Sequence, residues 1–176
     1  ATLYYEASQL SNADSLEKLL EIAENGDYLA QGFLMRLYGL GQGDVKQDII
    51  VAKEMGTKLF PWLQHAIQTE NSAQVIMLAR YLTGVCYSLG LGVPQNDGEA
   101  IKWYLQSAHQ GYIGAQAYLG YCYYLGVGVE KNLKEAFNWY KISALRGHSA
   151  SQCNLGLCFE YGHGTDKNLQ EAIKWY

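Results

Sequence analysis

Cysteine and histidine are the residue types here that could do redox or metal chemistry, and the chain has four of each. Cys86, Cys122 and Cys158 lie 36 residues apart. If they occupy one place in successive packed helices, their Cα atoms are about 8–10 Å apart, too far for a disulfide. Cys153 and Cys158 point about 140° apart on one helix, so they cannot pair either. The sequence also has no Cys-x-x-Cys pair of the kind that binds structural zinc. We expect four free thiols, mostly in the core, in a reducing compartment.

The histidines do not complete a catalytic or metal-binding set. No Asp or Cys stands at a meaningful spacing from His65, His109, His148 or His163. The motif that begins at Gly90 resembles the start of a nucleotide-binding loop, but it lacks the third glycine and a preceding strand. We therefore predict that the chain is not an enzyme and has no catalytic residue, no metal and no cofactor.

The glycines of that motif belong to an internal repeat. Gly90, Gly126 and Gly162 are separated by steps of 36 residues. The same step separates three further sets, which are Gly92, Gly128 and Gly164; Ala100, Ala136 and Ala172; and Trp103, Trp139 and Trp175. A fixed period of this length is typical of a solenoid, in which each repeat packs on its neighbours.

Each repeat is predicted to contain two helices joined by the glycine turn. In the central repeat, Ala115 and Leu119 lie on one stripe of the first helix. Gly120 lacks a side chain and should let another helix approach closely. Asn132 is a good N-cap for the second helix, and Gly147 is a candidate for its C-terminal stop.

Two linked patterns carry a family resemblance. They are Ala-x-x-x-Leu-Gly-x-x-Tyr-x-x-Gly-x-Gly-Val and Ala-x-x-Trp-Tyr-x-x-x-Ala-x-x-Gly, which residues 115–147 match nearly throughout and which recur in three phases. This stretch resembles the Sel1-like repeat, a relative of the tetratricopeptide repeat. The resemblance implies an all-α fold, a right-handed α-solenoid of antiparallel helix pairs. It also implies adaptor work in protein complexes, including quality-control machinery and effectors of intracellular bacteria. The reducing compartment would be the cytoplasm, or the host cytosol for such an effector.

We expect residues 1–176 to form a single solenoid. Residues 11–26 are predicted to be the second helix of a preceding repeat, and the four repeats are predicted to span 27–71, 72–111, 112–147 and 148–176. Gly41 and Gly90 are 49 residues apart rather than 36. The second helix of the first repeat and the first helix of the next should therefore each be about two turns longer. Pro61 should kink or break the first of them.

One flank of the first helices is the candidate partner-binding surface, because in arrays related to the tetratricopeptide repeat that flank lines the concave face. It is aromatic and nearly uncharged, while lysines gather on the second helices. Tyr121 and Tyr124 are the expected anchors, with Leu119, Cys122 and Tyr123 in the core. The predicted partner-binding residues are Arg36, Tyr81, Val85, Ser88, Ala117, Tyr118, Tyr121, Tyr124, Asn154, Leu157 and Glu160.

The end of the chain is a second surface of interest. Leu169, Ile173 and Trp175 are expected to lack a following repeat to pack on, which offers a site for self-association. Residues 110–128 carry no charge but contain several Gly and Tyr residues. We interpret them as a buried helix and expect no membrane insertion.

The first functional hypothesis is an adaptor or scaffold that binds another protein or peptide, on the concave face or on the elongated helix pair. The formal net charge of −4 argues against a general nucleic-acid binder, so we expect no nucleic-acid partner. Two alternatives stay open. One is an RNA-binding helical repeat, and the other is a non-catalytic regulatory region of a larger enzyme.

Overall fold

The computed structural model describes residues 13–42 and 45–176, and within these ranges it contains helices and turns without strands. Residues 11 and 12 of the helix predicted over 11–26 lie outside the described part. The helices are α1 (Ala13–Glu24), α2 (Tyr28–Leu40), α3 (Ile49–Thr69), α4 (Ala73–Leu89), α5 (Asp97–His109), α6 (Ile113–Leu125), α7 (Leu133–Ala144), α8 (Ser149–Tyr161) and α9 (Leu169–Trp175).

The chain divides into two compact units, with the boundary inside α5 after Trp103. In the N-terminal unit α2 contacts α1, α3 and α4, and α3 also packs on α4. Its core includes Phe33, Leu63 and Leu82. In the C-terminal unit α6 packs on α7, α7 on α8 and α8 on α9, and α6 also contacts α8. Leu119 and Leu155 are fully buried in that unit.

Glycine ends the first helix of the regular repeats. Gly90, Gly126 and Gly162 adopt φ values of +65°, +83° and +75°, which glycine reaches without a Cβ penalty. Each N–H donates to the carbonyl oxygen four residues earlier, always that of a cysteine. The second helices then start at predicted caps, since the side chains of Asn132 and Asn168 accept hydrogen bonds from backbone N–H groups of the first turn.

The second glycine of the turn is an inter-repeat contact. A Cβ on Gly164 would overlap the carbonyl oxygen of Leu133 at the start of α7, the second helix of the preceding repeat. A Cβ on Gly92 would lie 2.5 Å from the carbonyl carbon of Gly56 in α3. The motif that resembled a nucleotide-binding loop is therefore a place where backbones of adjacent repeats meet.

The elongated helices differ in part from the prediction. α3 has 21 residues against 13 for α5, about two turns more, but α4 has 17 against 13 for α6, about one turn more. The turn between α2 and α3 takes up one further residue. α3 continues through Pro61, so the predicted break does not occur. Leu59, Leu63 and Ala66 are buried on either side of the proline, and their packing holds the helix together.

Candidate functional site

The first helices of the C-terminal unit expose large apolar side chains at matching repeat positions. Tyr121 and Leu125 of α6 are 45% and 49% exposed, and Leu157 and Tyr161, 36 residues later in α8, are 41% and 61% exposed. α6 and α8 contact each other. We define the α6–α8 surface as Tyr118, Tyr121 and Leu125 with Asn154, Leu157, Glu160 and Tyr161.

Aromatic contacts hold Tyr121 in place. Its ring centroid lies 5.8 Å from that of Tyr118, which in turn lies 4.7 Å from that of Tyr104. Tyr104 is buried and Tyr118 is half-buried. Ala117 lies half-buried on the same helix. The outermost tyrosine is thus supported by a row of rings that reaches into the core, which limits the rotamer freedom it would lose on binding.

Glu160 is the charged residue of the α6–α8 surface. It is half-buried and accepts a 2.6 Å hydrogen bond from the hydroxyl of Tyr176. That bond raises the pKa of Tyr176 to about 12, and a hydrogen bond with the same carboxylate raises the pKa of Tyr161. The ion pairs of the described residues are Lys102–Glu99 and Lys174–Glu171. Glu160 therefore has no cationic partner in the part of the chain that the structure describes.

Tyr124 packs on the core, which the sequence did not predict. It is half-buried and packs against the core cluster that includes Tyr140 and Leu155. Its hydroxyl lies 3.3 Å from Nδ1 of His163, and the Lys131 ammonium lies 5.8 Å from its ring centroid. Tyr124 follows Tyr123 on the helix, and both rings rest on the core.

The corresponding flank of the N-terminal unit is buried. Tyr81, Val85 and Ser88 are only 5%, 3% and 7% exposed, and the ring of Tyr81 stacks on Phe33 at 6.2 Å. Arg36 is half-buried. The expectation of an exposed surface is therefore wrong for Tyr81, Val85 and Ser88.

Two glycines of α2 explain the burial. A Cβ on Gly32 would overlap Leu82, and one on Gly39 would lie 3.0 Å from Cδ1 of Leu89. Leucine side chains of α4 thus fill the space over α2, where α6 has Ala117 and Tyr124 at the matching positions. Gly32 and Gly39 were the sequence signal for this difference.

The elongated helix pair offers little apolar surface. Residues 68–74, which include the end of α3, the connection to α4 and the start of α4, are all exposed and mostly polar. Trp62 is half-buried and stacks on Tyr28 at 4.9 Å. The large exposed apolar residues of this pair are Ile49 and Ile50, at the start of α3. The pair is therefore a weaker candidate than the α6–α8 surface.

The last helix, α9, is only partly exposed to solvent. Leu169 and Ile173 are 54% and 74% exposed, whereas Trp175 is half-buried and packs against the core cluster of the C-terminal unit. Self-association through this face stays a prediction. Across the described ranges, every helix is too short or too polar to cross a membrane.

A repeated glutamine contact was not foreseen from the sequence. Three glutamines near the start of a first helix donate a hydrogen bond from Nε2 to an alanine carbonyl eight residues earlier, at the end of the preceding second helix. The pairs are Gln31–Ala23, Gln116–Ala108 and Gln152–Ala144. The 36-residue spacing of Gln116 and Gln152 was the available signal. His148 was also missed as an N-cap, where its Nδ1 accepts from the Ser151 N–H at 3.1 Å.

The cysteines are distributed between core and surface. Cys86, Cys122 and Cys158 are buried and Cys153 is exposed, all as free thiols. Burial raises the pKa of Cys86 to about 12 and that of Cys158 to about 11, which suppresses the reactive thiolate. In the described ranges, no group of three or more His, Cys, Asp or Glu residues could hold a metal ion.

In the native protein we expect one thiol to be alkylated quickly and three to be alkylated slowly. Cys153 should react with iodoacetamide at neutral pH within minutes, while the buried three should react only as the chain opens. Peptide mass spectrometry after timed labelling measures the order. After denaturation without reductant all four thiols should be labelled, and fewer than four would contradict the prediction of free cysteines.

Comparison with known proteins agrees with the repeat geometry. The Sel1 repeat model matches residues 28–58, 78–112, 113–148 and 149–176. The chain belongs to the Sel1 repeat family. Its fold is accordingly an all-α solenoid of helix pairs. Sel1 repeats generally mediate protein–protein interactions, and Sel1 repeat proteins are generally non-catalytic scaffold modules.

Two solved structures are similar to this Sel1 repeat chain. One is a protective antigen present in uropathogenic Escherichia coli strains with an SLR fold, at 30% identity and a TM-score of 0.65 over 92% of this chain and 32% of that one. The other is a Sel1 repeat protein from Oxalobacter formigenes, at 26% identity and a TM-score of 0.58 over 98% of this chain and 60% of that one. This chain thus spans about a third and three fifths of their lengths. No curated protein matches it.

Proposed function

We propose that this Sel1 repeat chain is an adaptor that binds a segment of another protein on the α6–α8 surface. The observation that carries the proposal is the exposure of Tyr121, Leu125, Leu157 and Tyr161 at equivalent positions of two contacting helices. Single exposed apolar residues are ordinary, but a contiguous group is typical of an interaction site.

The chemistry of the surface suits a peptide-like ligand. Tyrosine offers a large contact area at low rotamer cost together with a hydroxyl for a backbone group. Tyr121 and Leu125 lie about one helical turn apart, as do Leu157 and Tyr161, so a bound helix or extended strand can contact two turns of each helix. A few such anchors generally carry most of the binding free energy.

The test compares two double variants by affinity purification from the native proteome. Tyr121→Ala with Leu157→Ala removes two anchors, and Ile142→Ala with Leu145→Ala removes exposed apolar area from the end of α7 as a matched control. The anchor variant should lose its partner by about thirtyfold in Kd, or about 2 kcal/mol. The control should bind as the unmodified chain does.

Both variants should lose no more than about 2 kcal/mol of the free energy of unfolding, because the replaced side chains lie at the surface and only Tyr121 gives up a ring contact, that with Tyr118. An anchor variant that retains the same partners with unchanged Kd would contradict the proposal. So would a marked loss of stability in that variant, because it would place the two side chains in the core.

A further inference from the structure

We infer that the α6–α8 surface selects a protein segment that places an arginine side chain on Glu160, beside apolar side chains that contact Leu157 and Tyr161. This inference rests on the proposed function and adds the chemistry of the partner. It depends on a carboxylate that lies among the exposed apolar residues without a cation of its own.

The position of Glu160 makes it part of any contact with this face. Leu157, Glu160 and Tyr161 are three and four residues apart on α8, so they are neighbours on one side of the helix. The exposed rings and aliphatic side chains around Glu160 belong to the same surface. A partner that covers Leu157 and Tyr161 therefore also removes water from the Glu160 carboxylate.

Removing water from a carboxylate that has no cationic partner is costly unless the bound segment supplies a positive charge. In the described structure Glu160 Oε2 accepts from the Tyr176 hydroxyl, and the carboxylate also hydrogen-bonds with Tyr161. No lysine, arginine or histidine of the described residues lies within ion-pair distance of it. Lys131 lies over the ring of Tyr124 instead. The surface thus favours a cationic segment and penalises an acidic one, which is how charged groups contribute specificity at interfaces.

An arginine fits this position better than a lysine. The guanidinium group can donate to Glu160 beside the two tyrosine hydroxyls, because a carboxylate has about four acceptor sites. Its flat face can also stack on an aromatic ring. Tyr161 follows Glu160 in the chain and is 61% exposed. One face of its ring stacks on His163 at a centroid distance of 5.7 Å, so the guanidinium would use the opposite face. An ammonium group offers no planar face, so the difference between the two cations is itself measurable.

The test uses labelled amphipathic probe peptides of about four helical turns, each with two leucines four residues apart and one varied position beside them. The varied residue is Arg, Lys, Gln or Glu. Fluorescence anisotropy measures Kd for the full chain. The Arg peptide should bind about tenfold more tightly than the Gln peptide, with Lys between them and Glu weakest. The advantage of Arg should shrink as salt concentration rises.

Three variants assign the effect to Glu160. Glu160→Gln should abolish the advantage of the Arg peptide and leave the Gln peptide unchanged. Glu160→Lys should invert the order and favour the Glu peptide. Glu135→Gln in α7, outside the α6–α8 surface, is the matched control for loss of one negative charge and should keep the original order.

The outcomes separate this inference from the proposed function. If the peptides bind and Tyr121→Ala raises their Kd, but their Kd values do not depend on the varied residue or on Glu160, the arginine inference is wrong. The proposed binding surface is then still supported. If the anchor variant does not affect binding, or no peptide binds at millimolar concentration, both are contradicted.

Discussion

Replacing Gly164 with alanine should lower the free energy of unfolding of the C-terminal unit by about 2–5 kcal/mol. Two costs add. A residue with a Cβ at φ +76° is strained by about 1–2 kcal/mol, and the new methyl group would overlap the backbone of Leu133. A backbone cannot rotate away as a side chain can, so the start of α7 would have to move. Overpacking of this kind typically costs about 1–3 kcal/mol.

Gly162 provides the matched control for Gly164→Ala. Its φ of +75° is nearly identical, but an added Cβ would meet its nearest atom, the carbonyl oxygen of Thr165, at 3.4 Å. Gly162→Ala should therefore cost only the conformational term of about 1–2 kcal/mol. Urea unfolding followed by circular dichroism measures both variants. Equal losses would show that the close inter-repeat approach contributes nothing to stability.

The N-terminal unit allows the same comparison a second time. Gly90 and Gly92 have φ values of +65° and +76°. A Cβ added to Gly90 would make only ordinary van der Waals contacts. A Cβ added to Gly92 would lie 2.5 Å from the carbonyl carbon of Gly56. The alanine variants should therefore rank in the same order. The agreement of two independent turns would identify the second glycine of each turn as the position that sets the spacing between repeats.

The local parts of the fold could be predicted from the sequence because their causes are local. A glycine that takes positive φ, and an asparagine that caps a helix, depend on a few neighbouring atoms. Gly126 and Asn132 therefore adopt the roles expected of them. The resemblance to the Sel1 repeat then predicted that the helices pack as antiparallel pairs.

The exposure of the candidate surface could not be predicted as well, because it depends on what another helix places over a residue. Val85 and Tyr121 occupy the same repeat position, yet Val85 is 3% exposed and Tyr121 is 45% exposed. Tyr124 lies one turn from Tyr121, yet its ring rests on the core. Helical phase assigns a residue to a face of its own helix, and only tertiary packing decides whether that face stays open.

The glutamine contacts show the opposite case, a stabilising element that repeat phase could have revealed. We expect Gln116→Met to lower the free energy of unfolding by about 2–3 kcal/mol. Gln116 is 5% exposed, and its Nε2 donates to the Ala108 carbonyl at 3.0 Å. Its Oε1 accepts from Nη1 of Arg146 at 3.1 Å, and the same Nη1 also donates to the Gly111 carbonyl. Methionine has a similar volume, so the variant mainly removes the two hydrogen bonds.

Gln152→Met tests whether burial and the arginine contact account for that loss. Gln152 has the same repeat position, but it is half-buried and its bond to the Ala144 carbonyl is longer, at 3.3 Å. Water can replace this bond more easily, so the loss should be about 0.5–1 kcal/mol. Denaturant unfolding of both variants, with Arg146→Met as a third, measures the difference. If Gln116→Met is no more damaging than Gln152→Met, the contact does not lock the start of α6 to the end of α5. If it is more damaging and Arg146→Met reproduces a large part of the effect, the arginine secures the glutamine that joins the two helices.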